Sequence, residues 1–318
     1  MAVGGILLVA YVVTSWIGAG ILLMPPRKAL RPWQNAWLAH PALAGLRIER
    51  RVSDAGVPYL QCEPDAAAGP SLRGRILRAQ LAAAGIAPGR FGEVRGTLVL
   101  LHGWGMRKED LLITAERFCA AGFRCLIPDL PGHGENAGPC AGFGCDGVER
   151  FLPREVLESA ARNGHFAARP AALWGLSMGG ACAIQAAAAT PETWDSLVVV
   201  SAFDALDPVV RGALGRAMGG WLATILDPGL EGAVLLRGGF LLGAREPLAS
   251  AARLRVPTFL IHGRDDDLIP VAAGRRLYRA APVRRKRWLE VRTARHGNVL
   301  GTPQHVFVEM AAWMLGVR

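Results

Sequence analysis

Five residues constrain this 318-residue chain more than any others: Gly175-Leu176-Ser177-Met178-Gly179. The apolar stretch Ala171–Trp174 before them reads as a strand, and the Ala-rich stretch Gly180–Ala189 after them reads as a helix. Between the two the chain must reverse sharply and push one side chain outward. Glycines two before and two after Ser177 let strand and helix approach without colliding Cβ atoms. Ser177 then stands near a helix N-terminus, where backbone N–H groups and the helix dipole favour developing negative charge.

The flanking sequence supplies the sheet that such a turn needs. Arg47–Ser53 and Gly56–Glu63 read as two strands around Asp54-Ala55-Gly56. Further strands are expected at Thr97–Leu101, Cys125–Pro128, Leu197–Val200, Thr258–Ile261 and Trp288–Val291. Helices are expected at Arg73–Ile86, Lys108–Ala121, Arg154–Asn163, Val271–Ala281 and Pro303–Leu315. Apolar strands alternating with helices imply an α/β fold with a mostly parallel, doubly wound sheet covered on both faces. In such sheets functional groups gather at the carboxyl ends of the strands. Residues 206–251 break the rhythm with helices and Gly-Gly interruptions, and are expected to form a small helical lid over that end.

Candidate partners for Ser177 follow from chain order. His102-Gly103-Trp104-Gly105 comes directly after a strand, so the N–H groups of Trp104 and Met178 are the expected oxyanion donors. A general base is expected late in the chain, and His296 in Thr293-Ala294-Arg295-His296-Gly297-Asn298 follows the last strand. His305 and His102 are the weaker candidates. The acid that orients the base is expected in His262-Gly263-Arg264-Asp265-Asp266-Asp267-Leu268-Ile269-Pro270. Asp266 is preferred because Gly263 and Pro270 frame it; Asp265, Asp267 and the more distant Asp204 stay open. Asp129-Leu130-Pro131-Gly132-His133-Gly134 reads as a loop-shaping segment at another strand end.

Val3 to Met24 is an unbroken apolar run without a charge. As a helix it is about 33 Å long, enough to cross a hydrocarbon core of about 30 Å. A cleaved signal peptide would open on basic residues and close on a small-residue site, and neither is present. A single-pass N-terminal anchor at residues 1–26 is the expectation, with residues 27–46 as a linker and 47–318 as the catalytic domain. Arg27, Lys28 and Arg31 follow the run, which places that domain on the cytoplasmic side.

Net charge is +10, almost all from arginine in small groups. A nucleic-acid surface would show a longer basic stripe interleaved with aromatics, so no nucleic-acid partner is expected. The six cysteines do not form a zinc pattern, and no metal or organic cofactor is expected. Cys140 and Cys145 could pair only in an oxidising compartment.

Together the segments HGWG, DLPGHG, GLSMGG, HGRDDDLIP and RHGN, in that order, resemble the α/β-hydrolase superfamily, especially its serine aminopeptidase-like and monoacylglycerol lipase-like branch. The resemblance spans about Arg47 to the C-terminus. It implies the α/β-hydrolase fold, with Ser177 as nucleophile, Asp266 as acid, His296 as base, and Trp104 and Met178 as oxyanion donors. The helix at Arg73–Ile86 departs from it, since a short connection is usual there. The activity expected is cleavage of carboxylic esters or thioesters through an acyl-enzyme, on acyl or lipid-like small molecules. A peptidase or amidase is the alternative; it would need an acidic cluster for the substrate amine, for which the lid offers Asp207, Asp227, Glu231 and Glu246. A non-catalytic binding protein on the same scaffold is the other.

Overall fold

The computed structural model describes residues 2–136, 141–144, 148–302 and 305–316. The apolar N-terminal run forms one helix, α1 (Ala2–Leu23), and Pro25-Pro26 stops it. Residues 27–46 carry a short helix, α2 (Pro32–Ala39), whose Trp33 and Trp37 pack on the body of the domain. Gln34 of α2 is buried and donates from Nε2 to Asp110 Oδ1 at 2.9 Å.

The sheet begins with a hairpin, β1 (Leu46–Val52) and β2 (Pro58–Pro64). Helix α3 (Leu72–Ala83) leads to β3 (Gly96–Leu101), then α4 (Leu112–Ala120) and β4 (Phe123–Pro128). Next come α5 (Leu152–Gly164), β5 (Ala171–Leu176), α6 (Met178–Ala189) and β6 (Ser196–Val200). Three helices, α7 (Leu206–Met218), α8 (Gly220–Gly238) and α9 (Pro247–Ala251), separate β6 from β7 (Thr258–Gly263). The chain ends with α10 (Val271–Ala280), β8 (Lys286–Val291) and α11 (Val306–Met314).

The eight strands lie in the order β1-β2-β4-β3-β5-β6-β7-β8. β2 is antiparallel to both its neighbours, and every other pairing is parallel. Successive strand residues face opposite sides, so the apolar runs feed two cores. In β6, Leu197 and Val199 join the core under α5, α6 and α10, while Val198 and Val200 join the core under α3, α4 and α11.

The expected elements form with small shifts at their ends. The helix expected over Lys108–Ala121 opens instead with a 3₁₀ turn, Lys108–Leu111, because Lys108 and Asp110 are held by side-chain bonds at that corner. The helix expected to start at Pro303 starts at Val306. Pro303 lies outside the described residues, as do Cys140 and Cys145 with the pairing considered for them. Cys62, Cys119, Cys125 and Cys182 are buried.

Candidate active site

β5 delivers Ser177 to the carboxyl edge of the sheet, and α6 starts at the next residue. Ser177 has φ 54° and ψ −117°, a conformation that L-residues rarely hold. Two glycines make it possible. A Cβ on Gly175 would lie 2.1 Å from Gly179 O, and one on Gly179 would lie 2.2 Å from Leu101 O. The Ser177 N–H donates to Val200 O at 2.8 Å, which pins the turn to β6.

Three side chains from three separate loops meet there. The Ser177 hydroxyl and His296 Nε2 are 3.0 Å apart, and His296 Nδ1 and Asp266 Oδ2 are 2.9 Å apart. An Nδ1–H donating to the carboxylate leaves Nε2 free to accept from the Ser177 hydroxyl. Asp266 follows β7 and His296 follows β8.

Asp266 is itself held rigidly. Its Oδ1 accepts from the N–H groups of Leu268 at 3.0 Å and Ile269 at 2.8 Å. Burial alone would raise its carboxyl. Hydrogen bonds from His262, His296 and the Ile269 N–H outweigh that and hold it well below the ordinary aspartate range. Asp265 and Asp267 are exposed. Asp204 pairs with Arg276, whose Nη2 lies 3.1 Å from Oδ1. His305 sits in a cleft with Arg73 and Gln80, away from Ser177.

Gly103 packs on the serine: a Cβ there would lie 3.5 Å from Ser177 Cβ. The Trp104 backbone therefore runs past the site. Met178 opens α6, so its N–H has no carbonyl within the helix to meet. The Trp104 side chain lines the cavity, and its Nε1–H donates to Leu22 O of α1 at 2.9 Å.

Behind this turn lies a buried polar cluster. Asp129 Oδ1 accepts from the Lys108 N–H at 2.7 Å, and Oδ2 accepts from Lys108 Nζ at 2.6 Å and the Glu135 N–H at 2.9 Å. His102 accepts from the Leu130 N–H through Nε2 at 3.0 Å and donates from Nδ1 to Gly103 O at 2.9 Å. Burial pushes the His102 imidazole below its ordinary value. Burial and the neighbouring His102 push His133 down to about 4. These groups brace the loops on either side of the site. Lys108 is the member that the sequence did not single out; a lysine at the start of a helix gives no sign that it is buried.

Above Ser177 lies a cavity of about 460 Å³, in the ordinary range for small-molecule sites. Apart from Ser177, Thr14, Ser15 and the Trp104 indole, every lining side chain is apolar. Its walls come from α7, α8 and, unexpectedly, α1. Of the lid carboxylates, Asp207 and Asp227 pair with Arg211, and Glu231 accepts from the Leu242 N–H at 2.9 Å. No acidic side chain lines the cavity among the described residues. Nor do they contain a group of His, Cys, Asp and Glu suited to a metal ion.

Comparison with known proteins agrees with this architecture. A family model described as serine aminopeptidase, S33, matches residues 92–232. A pimeloyl-[acyl-carrier protein] methyl ester esterase of Klebsiella pneumoniae subsp. pneumoniae is 38% identical over 112 residues, 35% of this chain and 38% of that protein. The chain thus spans little more than a third of the length of the curated relatives it matches. An esterase of Pyrococcus furiosus superposes with a TM-score of 0.62 at 17% identity, over 92% of this chain and 98% of that one. A membrane phospholipase A superposes with a TM-score of 0.56 at 17% identity, over 100% of this chain and 98% of that one. With its strand order, its serine turn between β5 and α6, and these likenesses in structure, the chain has the α/β-hydrolase fold, and its residues 92–232 are similar to the serine aminopeptidase, S33, family.

Proposed function

We propose that this protein is a serine hydrolase that cleaves carboxylic ester or thioester bonds of acyl or lipid-like molecules through an acyl-enzyme. The carrying observation is the continuous hydrogen-bonded line Ser177–His296–Asp266, with distances of 3.0 and 2.9 Å, at the floor of an apolar cavity. Ser177 Oγ attacks the acyl carbonyl while His296 Nε2 takes its proton. Asp266 keeps the Nδ1–H tautomer in place and stabilises the imidazolium that forms. The N–H groups of Trp104 and Met178 receive the oxyanion, each worth a factor of roughly 10²–10³ in rate. His296 then protonates the departing alcohol or thiol, and water repeats the sequence in reverse to free the acid. No metal or cofactor takes part in these steps.

The peptidase alternative is weaker on one observation. An amine-recognising site needs a carboxylate facing the substrate, whereas Asp207, Asp227 and Glu231 are engaged with Arg211 and the Leu242 N–H, and neither they nor Glu246 lines the cavity. The N-terminal helix serves in this reading as a membrane anchor, with Arg27, Lys28 and Arg31 holding the catalytic domain on the cytoplasmic side.

The test is fluorophosphonate labelling of the full chain. Labelling is expected for the native protein and is lost in Ser177→Ala and His296→Ala. Labelling that persists in Ser177→Ala, or none at all in the native protein, sinks the proposal and favours a non-catalytic binding role.

A further inference from the structure

α1 contributes Thr14, Ser15, Gly18, Ile21 and Leu22 to the cavity above Ser177. Their spacing is that of one helix face. That face is fastened to the body at several points. Besides the Trp104 bond to Leu22 O, Arg237 Nη1 donates to Trp16 O and the Ala141 N–H to Leu23 O, both at 2.9 Å. A Cβ on Gly229 would lie 2.3 Å from Ser15 Oγ, one on Gly18 would lie 3.3 Å from Leu230, and one on Gly238 would lie 3.0 Å from Leu23. Positions rise together along both helices, so α1 and α8 run side by side in the same direction. The turn between α7 and α8, at Gly219, therefore lies beside the N-terminal half of α1.

The cavity follows this arrangement. It runs from Ser177 outward to Ala217 and Met218 near that turn, along about 12 Å of α1 between Leu22 and Thr14. At its far end the surface is apolar: Ile6, Leu7, Leu8 and Val9 of α1 and Trp221 of α8 are each 62–74% exposed. An exposed patch of this kind marks a contact surface.

The geometry points to a long-chain lipid ester as the substrate, its hydrocarbon tail held between α1 and the α7–α8 hairpin and reached from a membrane surface at the hairpin turn. This rests on the serine hydrolase reading and adds to it that α1 is a wall of the tail site. A short, soluble ester would leave most of that wall in contact with water. Each methylene buried along it improves binding by about fourfold. The membrane is chosen as occupant of the apolar surface because Gly5–Leu23 carries no charge, has a mean hydropathy of 2.2 and is followed by basic residues.

The test uses the full chain in phosphatidylcholine vesicles with p-nitrophenyl esters from four to sixteen carbons. The ratio of long-chain to short-chain kcat/KM is expected to fall at least tenfold in Ile21→Trp and in Gly18→Leu, each of which adds bulk to the wall. Fluorophosphonate labelling of Ser177 in each variant shows that the domain is folded. Ratios within twofold of the native value in both labelled variants overturn the tail site; absence of any Ser177-dependent hydrolysis in the native protein overturns the hydrolase reading instead. Trp221→Glu, at the hairpin turn, is expected to lower hydrolysis of vesicle-borne ester at least tenfold and to leave soluble p-nitrophenyl butyrate within twofold. Unchanged vesicle hydrolysis overturns the membrane route, and loss of a dimer alongside it assigns the face to a second copy of this chain.

Discussion

Asp266 does two things that its exposed neighbours do not: it accepts from His296 and is fixed by the Leu268 and Ile269 N–H groups. Asp266→Asn keeps the shape but offers His296 Nδ1 an amide that can stabilise the wrong tautomer. A fall of about 10³–10⁴-fold in kcat is expected, against a change within about twofold for Asp265→Asn and Asp267→Asn. Steady-state kinetics on p-nitrophenyl butyrate checks both. Ser177 supplies a second expectation at this scale. Its backbone strain is of the kind that costs about 1–3 kcal/mol, partly offset on glycine substitution by the greater freedom of the unfolded chain. Ser177→Gly is therefore expected to be about 1 kcal/mol more stable than Ser177→Ala in urea unfolding, although both lack the hydroxyl. Ser177, His296 and Asp266, which the fold brings together, each sit at a strand end in a short motif, and that made them candidates in the sequence. The choice among three adjacent aspartates was not legible there, since it depends on which carboxylate faces His296 across 30 positions of chain.

The loops that frame Ser177 are tied together by buried charge. Lys108 and Asp129 are both essentially excluded from water, and Glu135 reaches the same ammonium at 2.9 Å. Lys108→Met leaves Asp129 as a buried anion without its partner, and a loss of about 3–5 kcal/mol in unfolding free energy is expected. His133 in the same loop gives a pH signature. Its Nδ1–H donates to Pro131 O at 2.9 Å, while Nε2 is buried without a partner among the described residues. The imidazole therefore stays neutral in the fold down to about pH 4, whereas the unfolded chain takes up the proton near pH 6.5. Between these values the unfolded state binds more protons, so stability falls as the pH is lowered. The His133 contribution is up to about 3 kcal/mol across that window. His102 is shifted in the same direction and acts with the same sign. The depressed carboxyl of Asp266 acts in a more acidic window, below its unfolded value of about 3.9. Urea titrations at pH 7.5 and 5 are expected to differ less in His133→Gln than in the native protein. Pattern reading placed these loops at strand ends but did not reveal their wiring, because burial of a lysine leaves no periodic trace.

At the scale of the molecule, α1 brings together features that are separate in the sequence. A helix apolar on every side has no polar face to show which surface packs and which stays free. The sequence therefore suggested an anchor preceding the domain, and only the fold shows α1 lying along α8 with its last turns beside Trp104. The two surfaces can be separated experimentally. Val9 and Val13 are 62% and 49% exposed, and neither lines the cavity. An aspartate in the middle of a membrane helix costs about 2.5–3.5 kcal/mol, so Val9→Asp with Val13→Asp together cost about 5–7 kcal/mol of membrane affinity. That is more than a thousandfold in partitioning. The double variant is expected to move from the membrane pellet to the soluble fraction after centrifugation. It should still label with fluorophosphonate, because the face that closes the cavity is untouched. A protein that remains in the pellet despite both aspartates would mean that this face of α1 does not contact lipid. Loss of labelling from a soluble, folded variant would mean that the two faces of α1 are not independent, and that the membrane itself holds the helix against the lid.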